Sequence, residues 1–149
     1  VKLFFNGVNI TGLSEAPVYI VNAENTSINL EIGTLNYLYD GPQYTDTNAV
    51  IYAKDDLTIK GDGALEIYAE VQNGIHCNND LKINGADLSV ETLTEDAIRG
   101  KKSVTVKSGN VSVDSKGDGI KSTKGEVNIS GGNIDTGRMQ ELFTRFPLK

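Results

Sequence analysis

Three polar residues, Asn73, Asp96 and Asp118, each lie two positions before an isoleucine. If equivalent segments of the chain stack as strands, the oxygens of neighbours in this row lie about 4.8 Å apart. Two carboxylates that close repel each other unless a cation lies between them, and Ca²⁺ prefers carboxylate, amide and backbone oxygens. The row therefore predicts a calcium site. Alternatively, the Asp-Gly and Asn-Gly pairs are only turn formers whose side chains bond to the backbone.

A second acidic corner lies ahead of the following apolar segment. Asp55 and Asp56 are adjacent there, and Asn79 and Asp80 take the equivalent place one repeat later. Acids on two neighbouring repeats could help to ligate the same kind of cation. The alternative is a solvated corner that only ends strand pairing.

The residues that directly follow the spaced isoleucines make up a third row, which contains Tyr52, His76, Arg99 and Lys121. A sugar ring could stack on Tyr52, while its carboxylate faces Arg99 and Lys121, since arginine binds a carboxylate with two parallel hydrogen bonds. The row predicts a binding site for a linear acidic sugar. Outward positions in such a fold are polar by default, which is the competing interpretation.

Tyrosines are concentrated in the first part of the chain, and Tyr37, Tyr39 and Tyr44 lie in the turn-rich segment 36–47. This segment breaks the alternation of its surroundings, so we expect a projecting loop, and such loops often carry function. Tyrosine offers a pyranose ring an apolar face and a hydroxyl group. The alternative is that Tyr37 and Tyr39 alternate with Leu38 and only fasten the segment to the fold.

Common catalytic arrangements are missing from the sequence. There is one histidine, no Gly-x-Ser-x-Gly motif and no phosphate-binding glycine loop. Carboxylates are plentiful, but nothing singles out an acid pair for glycoside hydrolysis. These observations favour binding over catalysis.

The elements that position these rows form a repeat over residues 51–136. Each copy has an apolar residue followed two places later by a small one, and then two apolar-x-apolar triplets. The openings of successive copies are separated by 24, 23 and 22 residues, a period typical of solenoids. The opening residues are Ile51, Ile75, Ile98 and Ile120, and the small residues are Ala53, Cys77, Gly100 and Ser122.

Strict alternation of apolar residues within each copy has the period of a strand with one buried face. Three short strands cannot enclose a core, but stacked copies can. The sequence therefore predicts an all-β chain that forms a right-handed parallel β-helix, a solenoid, of about five to six coils. Residues 1–50 carry the same alternation in a looser register and supply the first one to two coils. The small row should point inward at a crowded corner, which makes Cys77 a packed side chain and not a reactive thiol.

The end of the chain has a different pattern. Apolar residues at Met139, Leu142, Phe143 and Phe146 have helical spacing, and Pro147 follows them. We expect residues 1–137 to form the β-helix domain and residues 138–149 to form an amphipathic helical cap over its open end, or a tail outside the repeat.

Charge is segregated along the chain of 149 residues, whose net charge is −6. Residues 1–98 carry 4 basic and 15 acidic side chains, whereas residues 99–124 carry 7 basic and 2 acidic ones. The basic segment suits an anionic partner, although charged solenoid turns are also simply solvated. Nucleic acid is disfavoured because the rest of the surface would repel it. No apolar run is long enough to predict a membrane span, and no signal peptide is recognisable.

Five segments carry a family resemblance: NGVNITG, NYLYDG, KDDLTIKGDGAL, NGIHCNNDLKI and GDGIKS. With them, residues 1–136 resemble a family of secreted bacterial carbohydrate-binding β-helix proteins whose fold is similar to that of pectate lyases. The resemblance implies an extracellular or cell-surface location, a plant cell-wall polysaccharide such as polygalacturonate or cellulose as partner, and bound calcium. It supplies no catalytic motif. From Gly137 onward the chain departs from the further Asp-Gly-Ile coils that the family would have.

These observations together predict a non-catalytic, calcium-assisted module that binds cell-wall polysaccharide. A pectate-lyase-like enzyme, with Arg99 as its basic catalyst, is the first alternative. A structural or adhesive surface repeat is the second.

Overall fold

A computed structural model describes residues 1–42 and 47–137, together with the backbone of residues 143–145. The described residues form strands joined by turns and short connections. In chain order the strands are β1 Lys2–Phe5, β2 Asn9–Thr11, β3 Val18–Ile20, β4 Asn25–Leu30, β5 Leu35–Tyr39, β6 Ala49–Ala53, β7 Asp56–Gly61, β8 Ala64–Ala69, β9 Asn73–Cys77, β10 Asp80–Thr92, β11 Ile98–Gly100, β12 Ser103–Ser115, β13 Ile120–Ser122, β14 Glu126–Ile129, β15 Asn133–Thr136 and β16 Phe143–Arg145.

The strands stack into three faces of a parallel β-solenoid. The first face contains β1, β4, β7, the first halves of β10 and β12, and β14; the second contains β2, β5, β8, the second halves of β10 and β12, and β15. The third face contains β3, β6, β9, β11, β13 and β16. Each strand pairs in parallel with its equivalent in the next coil. The described part of the chain has six strands on every face and therefore six coils, which confirms the predicted parallel β-solenoid.

The core is built from side-chain ladders, of which the isoleucine ladder of the third face was predicted. Ile51 pairs with Ile75, Ile75 with Ile98, and Ile98 with Ile120, and all four are fully buried. Val18 extends the ladder into the first coil. Burial of one such side chain stabilises the fold by roughly 1.5–3 kcal/mol.

The row of small residues also lies inside the solenoid, as predicted. Ala53, Cys77, Gly100 and Ser122 pair in register. A Cβ atom on Gly100 would lie 2.8 Å from Cγ2 of Val104, and it would also meet the Ser103 carbonyl oxygen, so this corner has no room for a larger residue. The Cys77 thiol is buried, which raises its pKa to about 11, and it donates to the carbonyl oxygen of Asp55 at 3.1 Å.

Glycines with positive φ form the corner between the first and second faces. Gly85 and Gly109 both have φ of 99°, a conformation that disfavours side chains. A Cβ on Gly109 would collide with the carbonyl oxygen of Ala86. At this corner the register between β10 and β12 shifts next to Asn84. The glycines thus let one long strand turn from one face onto the next.

Two predictions of local structure are wrong. Residues 36–39 were expected in a projecting loop, but they belong to β5 and pair with β2 and β8. Leu38 faces the core, and this buried anchor overrides the turn residues that follow it. The helix expected over residues 139–146 is wrong for residues 143–145, which form β16 and pair with β13, while residues 139–142 and 146 lie outside the described residues. The unpaired edge of β13 offers backbone hydrogen bonds to an extended segment, which a helix could not use.

The described residues contain no helix that is long and apolar enough to cross a membrane.

Candidate functional site

The outward positions of the third face form the row that the sequence predicted, and we name it the third-face row. Tyr52 pairs with His76, His76 with Arg99, and Arg99 with Lys121. Tyr19 pairs with Tyr52 and extends the row into the first coil. Since paired strands lie about 4.8 Å apart, the five side chains form a straight line along the solenoid axis. One end of this line is aromatic and the other is cationic.

Rings make up the aromatic end of the third-face row. The centroids of Tyr19 and Tyr52 lie 5.6 Å apart with an interplanar angle of 76°, and those of Tyr52 and His76 lie 5.4 Å apart with an angle of 88°. These are edge-to-face contacts, which orient the rings against each other. Tyr19 is 48% exposed, so the aromatic end offers apolar surface to a ligand.

His76 links the two ends, and its protonation state follows from its neighbours. The amide oxygen of Asn73 accepts the backbone N–H of Asp96 at 3.0 Å, so the amide nitrogen of Asn73 donates to Asn48. Oδ1 of Asn48 therefore acts as an acceptor, and the proton in its 2.7 Å contact with His76 belongs to Nδ1 of the imidazole. Burial, together with the positive charge of Arg99, lowers the pKa of His76 to about 4. At neutral pH the imidazole is uncharged, and its Nε2 is a hydrogen-bond acceptor.

Asn48 reaches this position through an unusual backbone conformation. Its φ of 50° lies in the left-handed region, which asparagine tolerates better than most residues. Sequence reasoning missed this residue because it lies next to the turn-rich segment and outside the repeat.

The two cations of the third-face row differ in their surroundings. Nζ of Lys121 lies 3.8 Å from Asp96 and 3.5 Å from Asp118, so its charge is largely neutralised. Arg99 forms no ion pair with the described residues, and its buried Nε has no hydrogen-bond acceptor among them. Arg99 is therefore the group in this row best suited to receive an anionic oxygen from a ligand.

The predicted row of Asn73, Asp96 and Asp118 exists and forms a hydrogen-bonded ladder. Oδ1 of Asn73 accepts the N–H of Asp96, and Oδ1 of Asp96 accepts the N–H of Asp118 at 2.7 Å. The remaining carboxylate oxygens of Asp96 and Asp118 face Lys121. Among the described residues, no group of three or more His, Cys, Asp or Glu side chains converges as a metal site would. A calcium ion bound to Asp96 and Asp118 would have to displace the ammonium group of Lys121. Calcium binding at this row stays a prediction.

The second acidic corner is organised in a similar way. Oδ1 of Asp56 accepts the N–H of Asp80 at 3.2 Å as well as the side-chain amide of Asn79. Oδ1 of Asp80 accepts the hydroxyl of Ser103 at 2.7 Å. Asp55 uses its backbone oxygen to accept the thiol of Cys77. These contacts account for one oxygen of Asp56 and one of Asp80, and metal binding at this corner stays a prediction.

Tyr37 and Tyr39, which the sequence analysis also singled out, lie on a different face from the third-face row. Tyr37 and Tyr39 point outward from the second face, where their rings are 6.3 Å apart and nearly parallel. Tyr39 also meets Tyr68 at 6.1 Å, edge to face. Tyr44 lies outside the described residues. The sequence-based prediction missed Tyr68, although its place in the first repeat, one residue after the last apolar triplet, marked it as outward-facing.

Comparisons with known proteins place this geometry in context. A family model described as "Carbohydrate-binding domain-containing protein" matches residues 1–141. A carbohydrate-binding domain-containing protein from Acetivibrio thermocellus is 44% identical over 96 residues, which are 60% of this chain and 34% of the relative. This chain thus spans about a third of that protein's length.

Among solved structures, the polysaccharide lyase-like protein from C. thermocellum, in a gadolinium derivative, is similar with a TM-score of 0.83. The two are 34% identical, and the match covers 97% of this chain and 69% of the other.

Proposed function

The chain belongs to the family of carbohydrate-binding domain-containing proteins, and we propose that it is a non-catalytic module for an acidic plant cell-wall polysaccharide of the polygalacturonate type. The order of groups in the third-face row carries this proposal. Two tyrosine rings are followed by a neutral imidazole and by Arg99, all in one line along the axis. Binding groups arranged in a line along the axis can each contact a successive residue of a linear polymer, whereas a compact ligand would reach only one or two of them.

Each part of the row has a role in this proposal. Sugar rings stack on Tyr19 and Tyr52, because the face of a tyrosine matches the apolar face of a pyranose. Nε2 of His76 accepts a sugar hydroxyl. A uronate carboxylate binds the guanidinium of Arg99 through two parallel hydrogen bonds.

Electrostatics limit where an acidic polymer can bind. The chain has a net charge of −6 and repels polyuronates over most of its surface. The basic segment 99–124 reverses this locally, and Arg99, Lys101 and Lys102 are its first cations. Contacts of this kind weaken as salt screens them. A cellulose-type chain has no carboxylate and would gain nothing from these cations.

Calcium assistance and an extracellular or cell-surface location are further parts of the proposal. A calcium ion bound to Asp96 and Asp118 would bridge these carboxylates to those of the sugar. The support for calcium is the chemistry of the two acidic corners. The support for the location is the nature of the ligand, because a cell-wall polysaccharide is met outside the cell.

The test is affinity electrophoresis across pectins, celluloses and xylans, with and without Ca²⁺. We expect polygalacturonate to retard the parent protein, and Arg99→Ala to lose at least ten-fold in affinity. Lys82→Ala is the matched control, because it removes one exposed cation from the first face. If both variants lose affinity equally, the loss reflects only the change in net charge and not a specific contact of Arg99. Retardation by no polysaccharide would favour a structural or adhesive repeat.

A polysaccharide lyase is the second candidate function. Its support is the similarity to the polysaccharide lyase-like protein and the buried Nε of Arg99, which lacks an acceptor among the described residues. A lyase would release unsaturated oligogalacturonides, which absorb in the ultraviolet. Release that disappears in Arg99→Ala would replace the binding proposal with the enzymatic one.

A further inference from the structure

The second face carries a pocket that the third-face row does not use. Its volume is about 210 Å³, and its lining consists of Tyr39, Glu66, Ile67, Tyr68, Ser89 and Glu91. We name it the second-face pocket. The third-face row belongs to a different sheet of the solenoid, so a ligand in one site leaves the other accessible.

Strand register explains how the second-face pocket is assembled. Tyr39 pairs with Tyr68, and Tyr68 pairs with Glu91, so these three residues form one outward row. Glu66 pairs with Ser89 in the parallel row, two positions earlier along each strand. Toward later coils, Tyr39 and Tyr68 are thus followed by Glu91 in one row, while Glu66, which shares β8 with Tyr68, is followed by Ser89 in the other.

The tyrosines offer two ring orientations. Tyr37 and Tyr39 are nearly parallel, with an interplanar angle of 10°, while Tyr39 and Tyr68 meet at 64°. Tyr68 and Tyr39 are half-buried, so their rings are held by the fold and still accessible. Ordered aromatic surface of this kind binds sugar rings with little loss of side-chain entropy.

Charge defines the class of ligand. None of the described residues that line the pocket is basic. Glu66 and Glu91 are both exposed, and the row of Glu91 continues into Asp114. A uronate would be repelled here. Carboxylates are strong acceptors for hydroxyl groups, because a hydrogen bond to a charged acceptor is stronger than a neutral one.

We propose that the second-face pocket is a second carbohydrate site, which takes an uncharged sugar residue of a polysaccharide. A ring of that sugar packs on Tyr39 and Tyr68, and its hydroxyls donate to Glu66 and Glu91. The inference relies on the proposed function only in taking the ligand to be a carbohydrate. With the third-face row, it gives the module two faces of opposite charge preference.

Isothermal titration of the whole chain tests this with three probes of equal length: an uncharged cello-oligosaccharide, an uncharged xylo-oligosaccharide and an oligogalacturonate. We expect at least one uncharged probe to bind, with an affinity that moderate salt leaves unchanged, since no ion pair is formed. Tyr68→Ala should weaken it at least ten-fold and leave oligogalacturonate binding within two-fold. Glu66→Gln, which alters only an exposed side chain, should weaken the uncharged probe several-fold.

Tyr52→Ala is the matched control, because it removes a tyrosine from the third-face row. We expect it to weaken oligogalacturonate and to spare the uncharged probe. The inference is overturned if neither uncharged probe binds the parent, or if Tyr52→Ala removes that binding while Tyr68→Ala does not. It is also overturned if a glucosamine oligomer binds the pocket more tightly and in a salt-dependent way, since the site would then be one for cations. In each of these cases oligogalacturonate binding still reports separately on the third-face row.

Discussion

Oδ1 of Asp96 lies 2.7 Å from the backbone nitrogen of Asp118, which follows 22 residues later in the chain. The same bond joins Asn73 to Asp96 one coil earlier. These side chains therefore hold three successive coils in register, just before the isoleucines at which β9, β11 and β13 pair with one another. The acids that suggested a metal site have a structural role first, and their second oxygens reach Lys121 of the third-face row. Fold and candidate site thus share residues.

Removal of the ladder oxygen should destabilise the fold. Asp96→Ala leaves the buried N–H of Asp118 without its acceptor, which costs about 1–3 kcal/mol in the free energy of unfolding. Asp96→Asn keeps an oxygen and loses only the partner of Lys121, so we expect a cost below about 1 kcal/mol. Urea unfolding of both variants measures the difference. Asp87→Ala, which removes an exposed carboxylate, serves as the control.

The glycine corner makes a similar prediction about backbone conformation. Gly109→Ala places a Cβ against the carbonyl oxygen of Ala86 in a residue whose φ is 99°. We expect a loss of about 1–3 kcal/mol in unfolding free energy. The adjacent Asn110→Ala changes an exposed side chain and should cost less than about 0.5 kcal/mol. Similar losses in the two variants would contradict the steric explanation.

The repeat predicted most of the architecture, because equivalent positions of successive coils pair with each other and therefore need similar residue types. Ile51, Ile75, Ile98 and Ile120 stack as expected, and so do the outward residues beside them. The period lengthens in the first coils: Tyr19 is the equivalent of Tyr52 but lies 33 positions earlier. Because this separation is longer than the 22 to 24 residues of the repeat, the sequence-based prediction did not include Tyr19 in the row.

Local turn propensity misled the prediction for residues 36–39. Gly41 and Pro42 follow the strand, and their turn propensity outweighed the alternation of Tyr37 and Tyr39 with Leu38, which is fully buried. Side-chain pairing between coils also escapes sequence reasoning. The contacts of Asn48 with Asn73 and His76 join residues 25 and 28 positions apart, and only the folded register brings them together.

The buried imidazole predicts a pH dependence. Burial and Arg99 lower the pKa of His76 to about 4, whereas the ordinary value is about 6.5. Between these pH values the unfolded chain takes up a proton that the folded chain refuses, so stability falls as pH drops through this window and is retained in full above it. The contribution is at most about 3 kcal/mol.

Unfolding free energies between pH 5 and pH 7 measure this effect, because few carboxylates titrate in that range. We expect His76→Gln to flatten the slope. Arg99→Ala should bring the pKa of His76 closer to its ordinary value, which an NMR titration of the imidazole detects directly. An unchanged slope in His76→Gln would assign the pH dependence to other groups.

Calcium and Lys121 compete for the same oxygens, which gives the calcium proposal a sharp test. In the parent chain Nζ of Lys121 lies within 3.8 Å of a carboxylate oxygen of both Asp96 and Asp118. Lys121→Gln leaves these two carboxylates unneutralised, about one strand spacing apart. A ligand that binds only the folded chain raises its stability by mass action. We therefore expect Ca²⁺ to raise the melting temperature of Lys121→Gln by more than that of the parent, and a chelator to reverse both shifts.

Asp118→Asn in the Lys121→Gln background is the matched control, since it removes one of the two charges and keeps an oxygen. Its calcium-dependent shift should shrink to that of the parent or less. Magnesium provides a second comparison, because it demands a tighter octahedral shell than Ca²⁺ and should stabilise less. If neither Ca²⁺ nor chelator moves the melting temperature of Lys121→Gln, these carboxylates serve only the ladder and the lysine. Any calcium that assists polysaccharide binding must then be held elsewhere, and the corner of Asp56 and Asp80 becomes the next place to substitute.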